Sequence, residues 1–102
     1  MNKGTLTQKA QELLSDLLDR SELLIDLSYS ALIFNNREIA EDVTEMFEWI
    51  DEIEIELEET ILKLSKEVEN PERLWGVLRL SNSAREIAEA SLMIADLVLR
   101  GL

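Results

Sequence analysis

The sequence has no cysteine and no histidine, one proline, three glycines and few aromatic residues. Each shortage closes off a class of function. Without cysteine there are no disulfides and no thiol chemistry. Without cysteine and histidine, zinc sites of the usual composition, the common nucleophile and base pairs and most general acid-base schemes also go. A dinuclear iron site of the ferritin kind needs Glu-x-x-His pairs and is excluded for the same reason. Gly4, Gly76 and Gly101 are isolated from one another, so no glycine-rich phosphate loop exists. So little turn chemistry cannot support a β fold.

Positive charge is also scarce. Ten basic side chains stand against 22 acidic ones, a formal net charge of −12. Nucleic-acid binding draws much of its affinity from Lys and Arg displacing counterions, so nucleic acid is not an expected partner. A helix lying on an anionic membrane needs a basic polar face, and the polar faces here are acidic. Long apolar runs are missing too: residues 23–34 are few and include Asp26, and residues 91–99 include Asp96. Direct membrane insertion is not expected. Residues 3–8 have Leu6 as their one large apolar residue and lack an apolar signal core, which makes the cytoplasm the expected address.

What is present is apolar residue at helical spacing. The chain is 102 residues long, 46% hydrophobic and 31% charged, enough for one domain with one modest core. Asn35 and Asn36, then Asn70 followed by Pro71, punctuate it. Asn35 with Glu38, or Asn36 one position later, suits a helix start, and Asn70 as N-cap with Pro71 at the first helical position suits another. Thr5 with Gln8 is a weaker capping box, and Arg100 with Gly101 is a suitable helix end. The expectation is an all-α, up-down-up bundle of three long helices, at about 6–34, 37–69 and 71–100, forming a single domain over 1–102.

The middle segment carries a seam at Ile39, Val43, Met46, Ile50, Ile53, Leu57, Ile61, Leu64 and Val68. The first carries Leu6, Ala10, Leu13, Leu17, Leu24 and Ala31, broadened by Leu14, Leu18 and Ile25. The third runs through Leu74, Leu78, Ala84, Ile87, Ala88, Ser91, Ile94, Ala95 and Val98. Small residues at Ala84, Ala88, Ser91 and Ala95, facing Ser21, Ser28 and Ala31, predict close approach of the first and third helices. Phe47, Trp49, Ile55, Trp75, Leu92 and Leu99 are left over. They belong either to a wide core with some exposed apolar atoms or to a second apolar face covered by another chain. On the second reading these six are the candidate interface residues, and the first partner to test is a second copy.

Residues 37–69 hold 13 acidic side chains and three basic ones, a net charge of −10. Carboxylates four residues apart, as at Glu41 with Glu45 and Glu48 with Glu52, share a helix face and repel. A solvated acidic face, a divalent-cation site and a surface for a basic partner all fit this pattern. A glycosidase-like use of two carboxylates would need a cleft that a slender bundle does not offer, so no enzymatic activity is expected.

The run LLIDLSYSALIFNNREIAEDVTEMFEWIDEIEIEL resembles the first two helices of PhoU-like domains. The end of the chain, LRLSNSAREIAEASLMIADLVLRGL, resembles the third helix of archaeal members in which a half-length PhoU-like domain precedes a ligand-binding domain of the TrkA C-terminal type. The likeness spans about residues 12–102 and is best over residues 26–31 and 94–100. It implies a three-helix half that pairs with a second copy into a six-helix unit. It also implies a regulatory role in phosphate uptake and signalling, or in potassium or other cation transport. The implied partners are a membrane cation transporter or a TrkA-type domain. Those relatives continue into a second domain where this chain ends, which implies an excised piece or a shortened relative.

The resemblance also implies metal clusters held by a Glu/Asp-x-x-x-Asp signature, and here the sequence departs from the family. Asp51 matches the last position on the second helix, but Phe47 stands four residues before it. On the third helix the positions are Arg85 and Glu89. Asp51 and Glu89 are the matched metal-ligand candidates. Arg85 puts a cation where a ligand is required, so it is expected to pair with these carboxylates. No cofactor is expected.

Overall fold

The computed structural model describes residues 3–101. Met1, Asn2 and Leu102, part of the expected single domain, lie outside the described residues. Three α-helices, α1 (Lys3–Phe34), α2 (Arg37–Leu64) and α3 (Trp75–Leu99), are joined by one tight turn and by residues 65–74, which end in a 3₁₀ turn (Pro71–Leu74). Each helix packs on the other two. The result is the expected all-α bundle, a rod of 51 × 20 × 15 Å. Its length follows from α1 alone, whose 32 residues rise about 48 Å.

The first turn is set by two asparagines with different tasks. Asn35 takes a left-handed conformation, with φ of 49°, and the backbone N–H of Asn36 donates to the carbonyl of Ala31, closing α1. Asn36 is then the N-cap of α2, its side-chain oxygen accepting from the Ile39 N–H at 3.1 Å. At the other end of the rod, Gly101 at φ 78° stops α3 directly after Arg100, as anticipated.

Several boundaries differ from the sequence expectation. Helix α1 begins at Lys3, so Thr5 lies inside it rather than at its cap. Helix α2 ends at Leu64, five residues before the expected 69. There Ser65 donates its hydroxyl to the Leu62 carbonyl at 2.6 Å, and the N–H groups of Lys66 and Glu67 reach back only three residues. Such bonds compete with continuation of the helix. Pro71 opens a 3₁₀ turn rather than α3, and the Asn70 side chain makes no cap. The residue before a proline is pushed out of the helical region, and Asn70 sits at φ −117°, ψ 77°.

The core is a column of Leu17, Leu24, Val43, Ile50, Leu57 and Val98, all fully buried, flanked by small residues. Ser21 and Ser28 on α1 and Ala84, Ala88, Ser91 and Ala95 on α3 are buried, as the close-approach expectation required. Two expected core residues are not enclosed: Ile87 and Leu18 remain open to solvent. None of the described helices is long and apolar enough to cross a membrane.

Candidate functional site: an arginine-centred carboxylate cluster and two apolar faces

The α2 seam runs Ile50, Leu57, Ile61, and Glu54 stands on the same line, four residues after Ile50 and three before Leu57. Helical spacing therefore carries its carboxylate inward. Glu54 is only 9% exposed. From α3, Arg85 reaches across and gathers three carboxylates. Its Nη1 donates to Asp51 Oδ1 and, at 3.2 Å, to Glu54 Oε1, while its Nε donates to Glu89 Oε1 at 3.1 Å. The guanidinium also lies 5.1 Å from the centre of the Phe47 ring.

This cluster is unevenly satisfied. Asp51 and Glu89 are half-exposed, but Glu54 Oε2 is shielded and has no hydrogen-bond partner. Burial raises the Glu54 carboxyl above its ordinary range. The Arg85 charge opposes this, and the negative charges of Glu58 and Asp51 add to it. Burial also works against the Arg85 charge, but its bonds and charges with Asp51, Glu54 and Glu89 outweigh that and hold the guanidinium above its usual value.

Asp51 and Glu89, the metal-ligand candidates, are thus brought together, and both are bonded to Arg85. The residues present do not fit a metal cluster. A guanidinium fills the space between the carboxylates, Phe47 takes the place of a ligand, and the third carboxylate faces the same arginine. Glu54 was not singled out from sequence. Its place on the seam line was the signal that could have revealed it.

The six candidate interface residues do not share one face. Trp49 stands on the α1-facing flank of α2, with Arg20 5.2 Å from its ring centre. Phe47 and Leu99 pack against the core, and Leu92 is half-buried. Ile55 and Trp75 are exposed and line a common groove between α2 and α3 near the 3₁₀ end of the rod, together with Leu62 and Leu78.

Another apolar face lies elsewhere. On α3, Leu80, Ser83, Ile87, Ala90, Ile94 and Leu97 recur at steps of three and four, and Leu80, Ile87 and Leu97 are exposed. On α1, Leu14, Leu18, Ile25, Tyr29 and Leu32 form a second stripe, with Leu18, Tyr29 and Leu32 exposed. Arg20 and Leu27 mark the α2-facing flank of α1, and Arg85 and Leu78 mark that of α3. Both stripes fall on the opposite flanks, so they share one face of the α1/α3 pair, turned away from acidic α2. Glu22, four residues after Leu18 and three before Ile25, interrupts the first stripe with a charge, whereas the positions named on α3 carry none.

The protein-family model of the PhoU domain matches residues 14–98. The chain belongs to the PhoU domain family. That span takes in the Arg85 cluster, both apolar stripes and the turn at Asn35 and Asn36. PhoU domains are regulatory, non-catalytic helical domains linked to phosphate and transport regulation. Comparison with curated proteins returns no match. Within the matched span, Arg85 draws Asp51, Glu54 and Glu89 into internal ion pairing.

Proposed function

We propose that this PhoU domain is a cytoplasmic, non-enzymatic pairing module. Two copies join across their α1/α3 faces into a six-helix unit, which governs a transport system for phosphate, or for potassium or another cation. The observation that carries the reading is the apolar double stripe on α1 and α3. Contiguous exposed apolar surface of this kind marks a face that another protein covers. A second copy suits it because the stripes are predominantly apolar on both partners, while pairing through α2 would set two strongly acidic helices against each other. A membrane cation transporter or a TrkA-type ligand-binding domain is the proposed recipient of the signal.

Because the chain has no cysteine, single cysteines report the pairing face directly. Ile87→Cys should give a disulfide-linked dimer under mild oxidation, and Glu59→Cys on the acidic face should not. Equal cross-linking at both positions, or the reverse order, overturns the reading of the face. The regulatory half is tested by measuring phosphate and potassium uptake in host cells with and without the chain. Unchanged uptake of both removes it.

A further inference from the structure

The groove between α2 and α3 is a separate surface, and its lining has a distinct chemistry. It is an open trough of about 640 Å³ at the end of the rod where α2 gives way to the 3₁₀ turn. Ile55, Glu58, Glu59 and Leu62 project into it from α2 at the spacing of one helix face, and Trp75 and Leu78 do so from α3. Leu62 and Trp75, each 66% exposed, flank this one depression and leave a joined apolar surface open. Among the described residues that line it, the charged ones are the two glutamates.

We infer that this groove binds a cationic amphipathic helical segment of a partner protein, its apolar side chains lying between Leu62 and Trp75 and its Lys or Arg side chains meeting Glu58 and Glu59. An apolar trough between two helices is the receptor half of helix-in-groove recognition, in which residues three and four apart on the incoming helix act as anchors. Charge decides between occupants. An acidic or lipid-carboxylate ligand would be repelled by the paired glutamates. A second copy meeting this face with its own groove would set Glu58 and Glu59 against their equivalents and bring no cation to either. Covering those carboxylates without a cation would strip their water uncompensated. The inference stands on this face alone and does not depend on pairing through α1 and α3.

The chain's two tryptophans are Trp49 and Trp75, so Trp49→Phe leaves Trp75 as a single reporter inside the groove. In that background we would titrate a synthetic helical peptide of about four turns with leucines on one face and lysines on the other. The expected result is a saturable, 1:1 blue shift of Trp75 emission. Affinity should fall about tenfold or more when Leu62→Ser removes an anchor or when Glu58→Gln and Glu59→Gln are combined, and should hold in Ile87→Ser. All of these sites are exposed, and circular dichroism verifies that helicity is kept. Four outcomes overturn the inference. A peptide with serines for the leucines binds equally well, which reduces the effect to attraction by acidic α2. A peptide with glutamates for the lysines binds equally well. Affinity in Leu62→Ser equals that of the parent. The Trp75 shift appears on raising protein concentration without peptide, which seats a second copy in the groove.

Discussion

Removing the guanidinium at Arg85 tests the cluster, because its three carboxylates are not equally dependent on it. Asp51 and Glu89 are about half-exposed, so on Arg85→Met they rehydrate, and their pairs, as surface ion pairs, contribute little. Glu54 has no such escape: its side chain is 12% exposed and one of its oxygens is already shielded without a partner. Leaving a buried carboxylate unpaired costs about 3 kcal/mol. For a domain of this size that lowers Tm by roughly 12–24 °C. Adding Glu54→Leu should return the double variant to within about 1 kcal/mol of the parent, since an apolar replacement of both members of a buried pair is close to neutral. Urea unfolding of the four proteins gives the coupling directly.

The pH dependence carries the same signature. Burial raises the folded-state pKa of Glu54 above its ordinary 4.5, so the folded chain holds that proton more tightly than the unfolded one. Its contribution to stability is fully present below the ordinary value and is lost as pH rises through the raised folded value. Arg85→Met removes the attraction that opposes the shift, moves that window upward and makes the loss steeper. The deficit of the single variant should therefore shrink as pH falls towards 4.5, and Glu54→Gln should abolish the dependence arising from this group. A cost below about 1 kcal/mol at neutral pH, or a double variant no better than the single one, would refute the claim that Glu54 depends on Arg85.

Three further outcomes are expected. Asn36→Ala should lower stability by about 1 kcal/mol in urea unfolding through loss of the α2 cap. Asn35→Val should cost about 1–2 kcal/mol by forcing a β-branched side chain into the left-handed region, while Asn35→Gly stays close to the parent. Supplying magnesium or ferric ions, or adding a chelator, should leave Tm within about 1 °C, because binding that stabilises the fold needs the ligands that Arg85 already holds.

The three helices and their order were legible because apolar spacing and polar punctuation agreed along most of the chain. Asn36 and Gly101 acted where their chemistry suggested. The end of α2 was not legible, since Val68 continues the seam while hydrogen bonding by Ser65 and the demands of Pro71 end the helix earlier. Phe47 looked spare from sequence because its packing depends on an arginine 38 positions away on α3. The second stripe on α3, at Leu80, Ile87, Ile94 and Leu97, was written in steps of three and four. It was hidden because Ile87 and Ile94 had been assigned to the core, and only the position of α1 decides which of two adjacent stripes is enclosed. The arginine pairing of Asp51 and Glu89 followed from charge alone, whereas the part of Glu54 required knowing which side of α2 faced inward.

The claim that this PhoU domain pairs through α1 and α3 is tested most directly by solution mass from light scattering over a range of concentrations, for the parent, Ile87→Glu and Trp49→Glu. The account predicts two chain masses for the parent and for Trp49→Glu, and one chain mass with helicity retained for Ile87→Glu. A parent that stays at one chain mass throughout, or a pair that Trp49→Glu separates and Ile87→Glu does not, would contradict it.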